Sequence, residues 1–181
     1  PQEQNLFNNS EIINDAYWGK NALTVTANTT ETTDPLGGNT AEKVVETSAN
    51  AEHSVEANER FFVTEGKQYT MSAYVKLISG SDRRIRLRFT GLNNAFVVSV
   101  ATFDLTTQTI SSNTCDDATI EDVGNGWFRC AVTETATATI DTLVRFDFQK
   151  TDGDTFYTGD TSVGFYLWGL QFEVGSTAST Y

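Results

Sequence analysis

Apolar and polar residues alternate with a period of two over most of this chain. ALTVTA (22–27), AEKVVET (41–47), QYTMSAYVKLI (68–78) and RIRLRF (84–89) follow that pattern, as do FVVSVATFDL (96–105), WFRCAVTE (127–134), TLVRFDFQ (142–149) and VGFYLWGLQFEV (163–174). Each predicts a strand with one face in a core. Turn-forming stretches separate them: DPLGGNT, SGSDR, GLNN, GNG and TDGDT. No segment carries a 3.6-residue apolar stripe with caps at both ends, and NSEIINDAYW holds one short helical turn at most. Strands at regular spacing without intervening helices predict an all-β protein, an antiparallel β-sandwich of the jelly-roll kind. With no internal repeat or linker in view, one domain is expected across residues 1–181.

Alternation also assigns sides. In DRRIRLRF the apolar Ile85, Leu87 and Phe89 face the core, so Arg84, Arg86 and Arg88 line the open side. In YTMSAYVKL, Met71, Ala73, Val75 and Leu77 go in, leaving Ser72, Tyr74 and Lys76 outside. Val144, Phe146 and Phe148 go in and Arg145, Asp147 and Gln149 out; Phe128, Cys130 and Val132 go in and Trp127 and Arg129 out. If these strands share a sheet, their outward positions build a patch of Arg, Lys, Tyr and amides. Guanidinium forks match carboxylate and sulfate oxygens, as an anionic polysaccharide would need. The alternative is that the arginines pair with Asp and Glu, including Asp147, in cross-strand ladders.

Composition sharpens that contrast. Twelve Lys and Arg stand against 24 Asp and Glu, a formal net charge of −12. Such a surface repels nucleic acid and anionic membranes, and no apolar run is long enough to span a bilayer, so neither is an expected partner. A basic patch on this background is a local reversal of sign. No secretory leader is read at Pro1, and the domain is expected to belong to a larger secreted protein. Cys115 and Cys130 flank the Asn125-Gly126 turn, so a hairpin would bring them onto neighbouring strands. A disulfide there fits an oxidising compartment, while two unpaired buried thiols are the other reading, and spacing does not decide between them.

The catalytic inventory is thin. His53 is the single histidine, in AEHSVEA, which alternates like a strand. That rules out a zinc site with two histidines and leaves any triad dependent on this one residue. No phosphate-binding glycine motif occurs. Paired carboxylates are inevitable among 24 acids, so their presence does not indicate a glycosidase. Trp168 shares parity with Tyr166, Leu170 and Phe172, which places it in the core; Trp127 and Trp18 are open between packing and ligand stacking.

The opening NLFNNSEIINDAYW, with Asn-Leu, a short turn and a Glu before a Trp, is similar to that of jelly-roll carbohydrate-binding modules of the family 4, 9, 16 and 22 type. TAEKVVET, EHSVEA, KQYTMSAYVKL, NGWFRCAVT and the closing YLWGLQFEVGSTASTY resemble sandwich modules of secreted polysaccharide-degrading enzymes and phage tail proteins. The resemblance implies a concave sheet face that holds a glycan without catalysis. The expected ligand-binding residues are Tyr74, Lys76, Arg84, Arg86, Arg88, Trp127, Arg129 and Arg145, and the expected ligand is an anionic (sulfated or uronate) polysaccharide. Such a module would target an attached enzyme to its substrate. The alternative is a phage tail or cell-surface attachment domain; a lyase or hydrolase on the same scaffold is not expected. Related modules often hold a structural calcium, and Glu11 matches its first ligand. The expected Asp pair near the last strand is replaced by WGLQ, and Asp152 and Asp154 offer oxygens elsewhere.

Overall fold

A computed structural model describes residues 4–79 and 82–181. In its first half lie β1 (Trp18–Asn21), β2 (Leu23–Thr26), β3 (Glu42–Glu46), β4 (Asn50–Glu52), β5 (Ser54–Ala57), β6 (Phe61–Val63), β7 (Gln68–Ser79) and β8 (Arg83–Phe89). The second half contributes β9 (Ser99–Asp104), β10 (Thr109–Asn113), β11 (Asp117–Gly124), β12 (Trp127–Thr135), β13 (Ile140–Thr142), β14 (Val144–Lys150), β15 (Phe156–Thr158) and β16 (Gly164–Val174). All eight strands expected from alternation are present, trimmed by a residue or more at several ends. The NSEIINDAYW segment forms turns, and the one helical piece among the described residues is a 3-10 turn at Leu92–Asn94.

Two six-stranded antiparallel sheets make the sandwich. The front sheet has the order β1-β5-β14-β8-β9-β10, and the back sheet β11-β12-β7-β16-β3-β2. Two short ribbons, β6 with β13 and β4 with β15, close opposite ends. Neighbours distant in sequence, such as β14 beside β8 and β16 beside β7, are the crossings that make this a jelly roll.

The core fills between the sheets. Ile85, Leu87, Phe89, Phe146 and Phe148 meet Met71, Val75, Phe165, Leu167 and Phe172, all of them buried. Phe7, Trp18, Phe61 and Phe172 form an aromatic knot with centroid separations of 4.9, 5.3, 6.0 and 5.3 Å for the pairs Phe7–Trp18, Phe7–Phe61, Phe7–Phe172 and Phe61–Phe172. Trp18 is thus a packing residue, its indole N–H donating to the Asn9 carbonyl at 2.8 Å. Alternation breaks inside β16. Gly169, at φ +57°, makes a bulge that shifts the β16–β7 register between Trp168 and Gln171. Leu170 and Phe172 point into the core as expected, but Tyr166 and Trp168 point out of the back sheet.

Cys115 and Cys130 are both free and buried. β11 and β12 do form the predicted hairpin, but Cys130 lies opposite Ile120 while Cys115 precedes Asp117, the partner of Thr133. Several residues of strand therefore separate the thiols, too far for a disulfide. Burial pushes the Cys115 thiol up to about 12 and the Cys130 thiol up as well, so neither is a reactive thiolate.

His53 is fully buried and stacks on Tyr157 with ring centroids 4.5 Å apart. Neither ring nitrogen makes a hydrogen bond of good geometry among the described residues, although the Thr47 backbone lies near enough to favour the charged ring. Burial is the main cause that holds its pKa below the ordinary value; the nearby Glu46 opposes the shift and Arg83 adds to it. A histidine kept neutral in the fold binds its proton more readily when unfolded. Its stabilisation is therefore complete above about pH 6.5 and is lost as the pH falls below that value. Melting curves of the wild type and His53→Phe between about pH 7 and pH 5 check this, because only the wild type carries this term. Equal acid losses in both proteins would show that the protonated ring finds a partner in the folded state.

Candidate functional site

The outward side of the back sheet is closed. Trp127, Tyr166, Trp168 and Ala41 form a second apolar cluster there, with Tyr74 and Tyr181 packed against it. Two segments cover it. The loop over residues 28–40 is held by Asp34, which accepts from the backbone N–H groups of Leu36, Gly38 and Thr40 and from the Thr40 hydroxyl. Burial alone would raise that carboxyl, but these donors outweigh it and hold it below the usual range. So fixed, the loop receives the Trp127 indole N–H at the Thr33 carbonyl (2.9 Å), the Trp168 N–H at Thr40 Oγ1 (2.8 Å) and the Tyr166 hydroxyl at Glu31 (2.9 Å). The C-terminal segment is the second cover: the Tyr181 ring lies 4.6 Å from that of Trp168, and Arg129 donates to Gln171 and to the Ser179 carbonyl.

Four of the expected binding residues belong to this covered side. Trp127 is 1% exposed. Tyr74 packs edge-on against Trp168 and under the Arg129 guanidinium, and Lys76 donates to Thr32. These are packing and tethering contacts. A concavity of about 170 Å³ remains beside them, lined by Arg129 together with Thr70, Ala131 and Thr133 and flanked by Glu121 and the tail at 176–178.

Arg84, Arg86, Arg88 and Arg145 lie on the outward side of the front sheet. The condition that all these strands share a sheet is not met: β7 and β12 belong to one layer, β8 and β14 to the other, and the core separates their outward sides. No covering layer of aromatics forms on the front side. Its floor is Ser54 and Glu56 from β5, Arg145, Asp147 and Gln149 from β14, the three β8 arginines, and Val100, Thr102 and Asp104 from β9.

Most of the positive charge is neutralised on the spot. Arg84 donates to Asp104 at 3.0 Å and Arg86 to Asp147. Arg145 is shared between Glu56 at 3.0 Å and Glu52 at 3.2 Å. Burial would raise Asp104, but Thr107 N–H and Arg84 outweigh it and hold that carboxyl low. Asp147 is only 3% exposed, and burial pushes its carboxyl up despite Arg86. The face is therefore close to neutral, where a basic patch was expected, because carboxylates of β9, β14 and the β4–β5 run stand in register with the arginines.

Arg88 is the exception. It has no hydrogen-bonded or ionic partner among the described residues, and it stands directly opposite Arg145 across the β8–β14 ladder. Like charges in that position destabilise a sheet, so a half-buried guanidinium left there is available to an external anion. Next to Arg145 the face opens into a concavity of about 330 Å³ lined by Lys20, Asn21, Glu52, Ser54, Glu56 and Arg145. Glu52, Ser54 and Glu56 escaped the sequence reading, although the alternation in AEHSVEA would have placed them outward with the same argument used for the arginines.

Glu11 is half-buried beside Ser10 and Tyr181. Among the described residues no three His, Cys, Asp or Glu side chains gather as a metal ligand set; a calcium at Glu11 would draw its other ligands from carbonyl, amide or hydroxyl oxygens.

The same jelly-roll fold occurs in solved carbohydrate-binding modules and in a phage tailspike domain. The module TmCBM61 in complex with β-1,4-galactotriose superimposes with a TM-score of 0.53 at 9% identity, over 95% of this chain and 99% of the module. The enzymatically active domain of bacteriophage CBA120 tailspike protein 4 gives 0.51 at 12% identity over 94% of this chain; the match spans only 21% of that larger chain. The sequence matches no protein-family model. No curated protein matches it either. The likeness is one of fold: a jelly-roll sandwich shared with sugar-binding modules and with part of a phage tailspike.

Proposed function

We propose that this chain is a secreted, non-catalytic carbohydrate-binding module that holds an acidic polysaccharide across the outward side of its front sheet, within a larger protein whose enzyme it brings to the substrate. The observation that carries the reading is Arg88, a guanidinium without a carboxylate partner on a face where every other arginine has one. A sulfate or uronate carboxylate on the polymer would complete the ladder with a charge-assisted, forked pair. The shared fold with a galactotriose-bound module supports the ligand class. The state of the carboxylates supports binding over turnover, since Glu52, Glu56, Asp104 and Asp147 are all engaged by arginines, and a glycosidase needs an acid free to give its proton. The tailspike match favours a second setting for such a domain, as part of a phage tail protein.

Affinity electrophoresis against alginate, carrageenans, porphyran, fucan and a neutral glucan tests the proposal. Retardation by an acidic polymer is expected, weakened by salt and unchanged by EDTA. Arg88→Ala should lose about tenfold or more in affinity, the scale of a charge-assisted hydrogen bond. Free migration through every polymer would overturn the reading.

A further inference from the structure

The front face offers hydrogen bonds and charge but no flat apolar surface, since none of its outward side chains is aromatic. A pyranose ring has an apolar side of C–H bonds that seeks one. The nearest such surface is Phe156. It is 62% exposed at the start of β15, while its neighbour Tyr157 is buried. A single exposed phenylalanine is ordinary by itself. Three features set this one apart.

Its register is the first. Phe156 pairs with Glu52 across the β4–β15 ribbon, and directly opposite residues share a side. Glu52 is the residue that reaches Arg145 on the front face and lines the 330 Å³ concavity. The phenyl ring therefore stands next to Glu52, at the end of the face where that residue borders the concavity, beyond the level of Arg145 and Arg88. Phe62, exposed to a similar degree, lies on β6 at the other end of the sandwich.

Anchoring is the second. Tyr157 plugs the ribbon into the sandwich: its hydroxyl donates to Glu46 at 2.8 Å, its ring stacks on His53, and the Arg83 guanidinium lies 4.7 Å from its centroid. The strand that presents Phe156 is thus held rigidly, so a ligand stacking there loses little freedom of the protein. The third is chemical: Glu52 and Glu56 each keep a carboxylate oxygen able to accept beside their bonds to Arg145, and Asn21 keeps one amide hydrogen beside its bond to the Glu52 carbonyl, a mix that suits sugar hydroxyls around a stacked ring.

We infer that Phe156 is the ring platform of a pyranose subsite formed with Asn21, Glu52, Ser54, Glu56 and Arg145. The subsite rests on the front-face reading above and extends it: the acidic group of one sugar meets Arg88, and an adjacent part of the chain stacks on Phe156. The ring it takes has an unsubstituted C–H face on one side and hydroxyls directed at the two glutamates.

The test uses the full chain with alginate, a carrageenan, a fucan and neutral xylan as probes in affinity electrophoresis. Phe156→Ala should cost about tenfold in affinity for whichever polymer retards the wild type, the scale of an aromatic stacking contact. Its melting temperature should stay at the wild-type value because the ring is exposed. Phe156→Tyr should bind like the wild type, and Phe156→Trp should bind with a shift in tryptophan emission when polymer is added. Wild-type affinity in Phe156→Ala, with Arg88→Ala still impaired, would overturn the platform and leave the front-face reading intact. A wild type that no probe retards would overturn both.

Discussion

Arg83→Met should remove about 3–5 kcal/mol of folding stability, the usual consequence of leaving one half of a buried ion pair uncompensated. Arg83 and Glu46 have the parity of the core, on β8 and β3 respectively, so each sheet sends one charge into the space between them. Their side chains are 4% and 0% exposed. The guanidinium forks onto the carboxylate, Nε to Oε1 at 2.7 Å and Nη2 to Oε2 at 3.1 Å, and the Tyr157 hydroxyl and Asp160 N–H complete the carboxylate's shell. With methionine at 83, Glu46 keeps its two neutral donors but loses its counter-charge in a region that excludes water. Urea unfolding measures the loss as a lower midpoint with an unchanged slope. The double variant Arg83→Met with Glu46→Met should recover part of it, because no charge is left uncompensated although the Tyr157 hydroxyl and Asp160 N–H lose their acceptor. A loss below about 1 kcal/mol in the single variant would mean that the pair is solvated in solution and that β15 is not locked through it.

The second large effect separates two arginines that look alike in the sequence. Arg86→Ala should cost about 3–5 kcal/mol, whereas Arg88→Ala should change folding stability by no more than about 0.5 kcal/mol. Arg86 compensates Asp147, a carboxylate with almost no solvent contact whose pKa burial has already raised. Deleting Arg86 raises it further. In that variant Asp147 is charged and unpaired at neutral pH and protonated in acid, so the destabilisation should shrink as the pH falls. Arg88 bonds to no carboxylate; its field helps to hold the Asp147 charge less than Arg86 does, and its removal also relieves the opposition to Arg145. Of the two arginines that the sequence marks as ligand-binding, Arg88 alone should therefore lose binding on substitution without loss of fold. Equal stability losses in the two variants would show that Arg88 serves Asp147 as fully as Arg86 does.

Period-two alternation carried the fold class and the side assignment along each strand. It placed the three β8 arginines outward and Ile85, Leu87 and Phe89 inward, because a pleated strand has no other way to bury one face. The same rule would have reached Glu52, Ser54 and Glu56 had the AEHSVEA run been read for its outward positions. It could not reach Phe156, in a three-residue strand too short to show a period, nor the bulge at Gly169, where one positive φ turns Trp168 and Tyr166 to the other side.

Which outward positions share a surface is a different kind of fact. β7 and β8 follow each other in the chain yet lie in opposite sheets, so Tyr74 and Arg86 are separated by the whole core. Strand order is settled by how the apolar faces of both layers pack together, a many-body problem that leaves no local trace in either strand. The pairing of the arginines follows from that order, through the registers that set Asp147 against Arg86 and Arg145 against Arg88. So does the covering of Trp127, which needs a loop almost a hundred residues upstream and the C-terminal tail. The sequence by itself determined what each strand buries; only the tertiary structure decided which charges meet, because charge pairing depends on neighbours that the chain brings together from far apart.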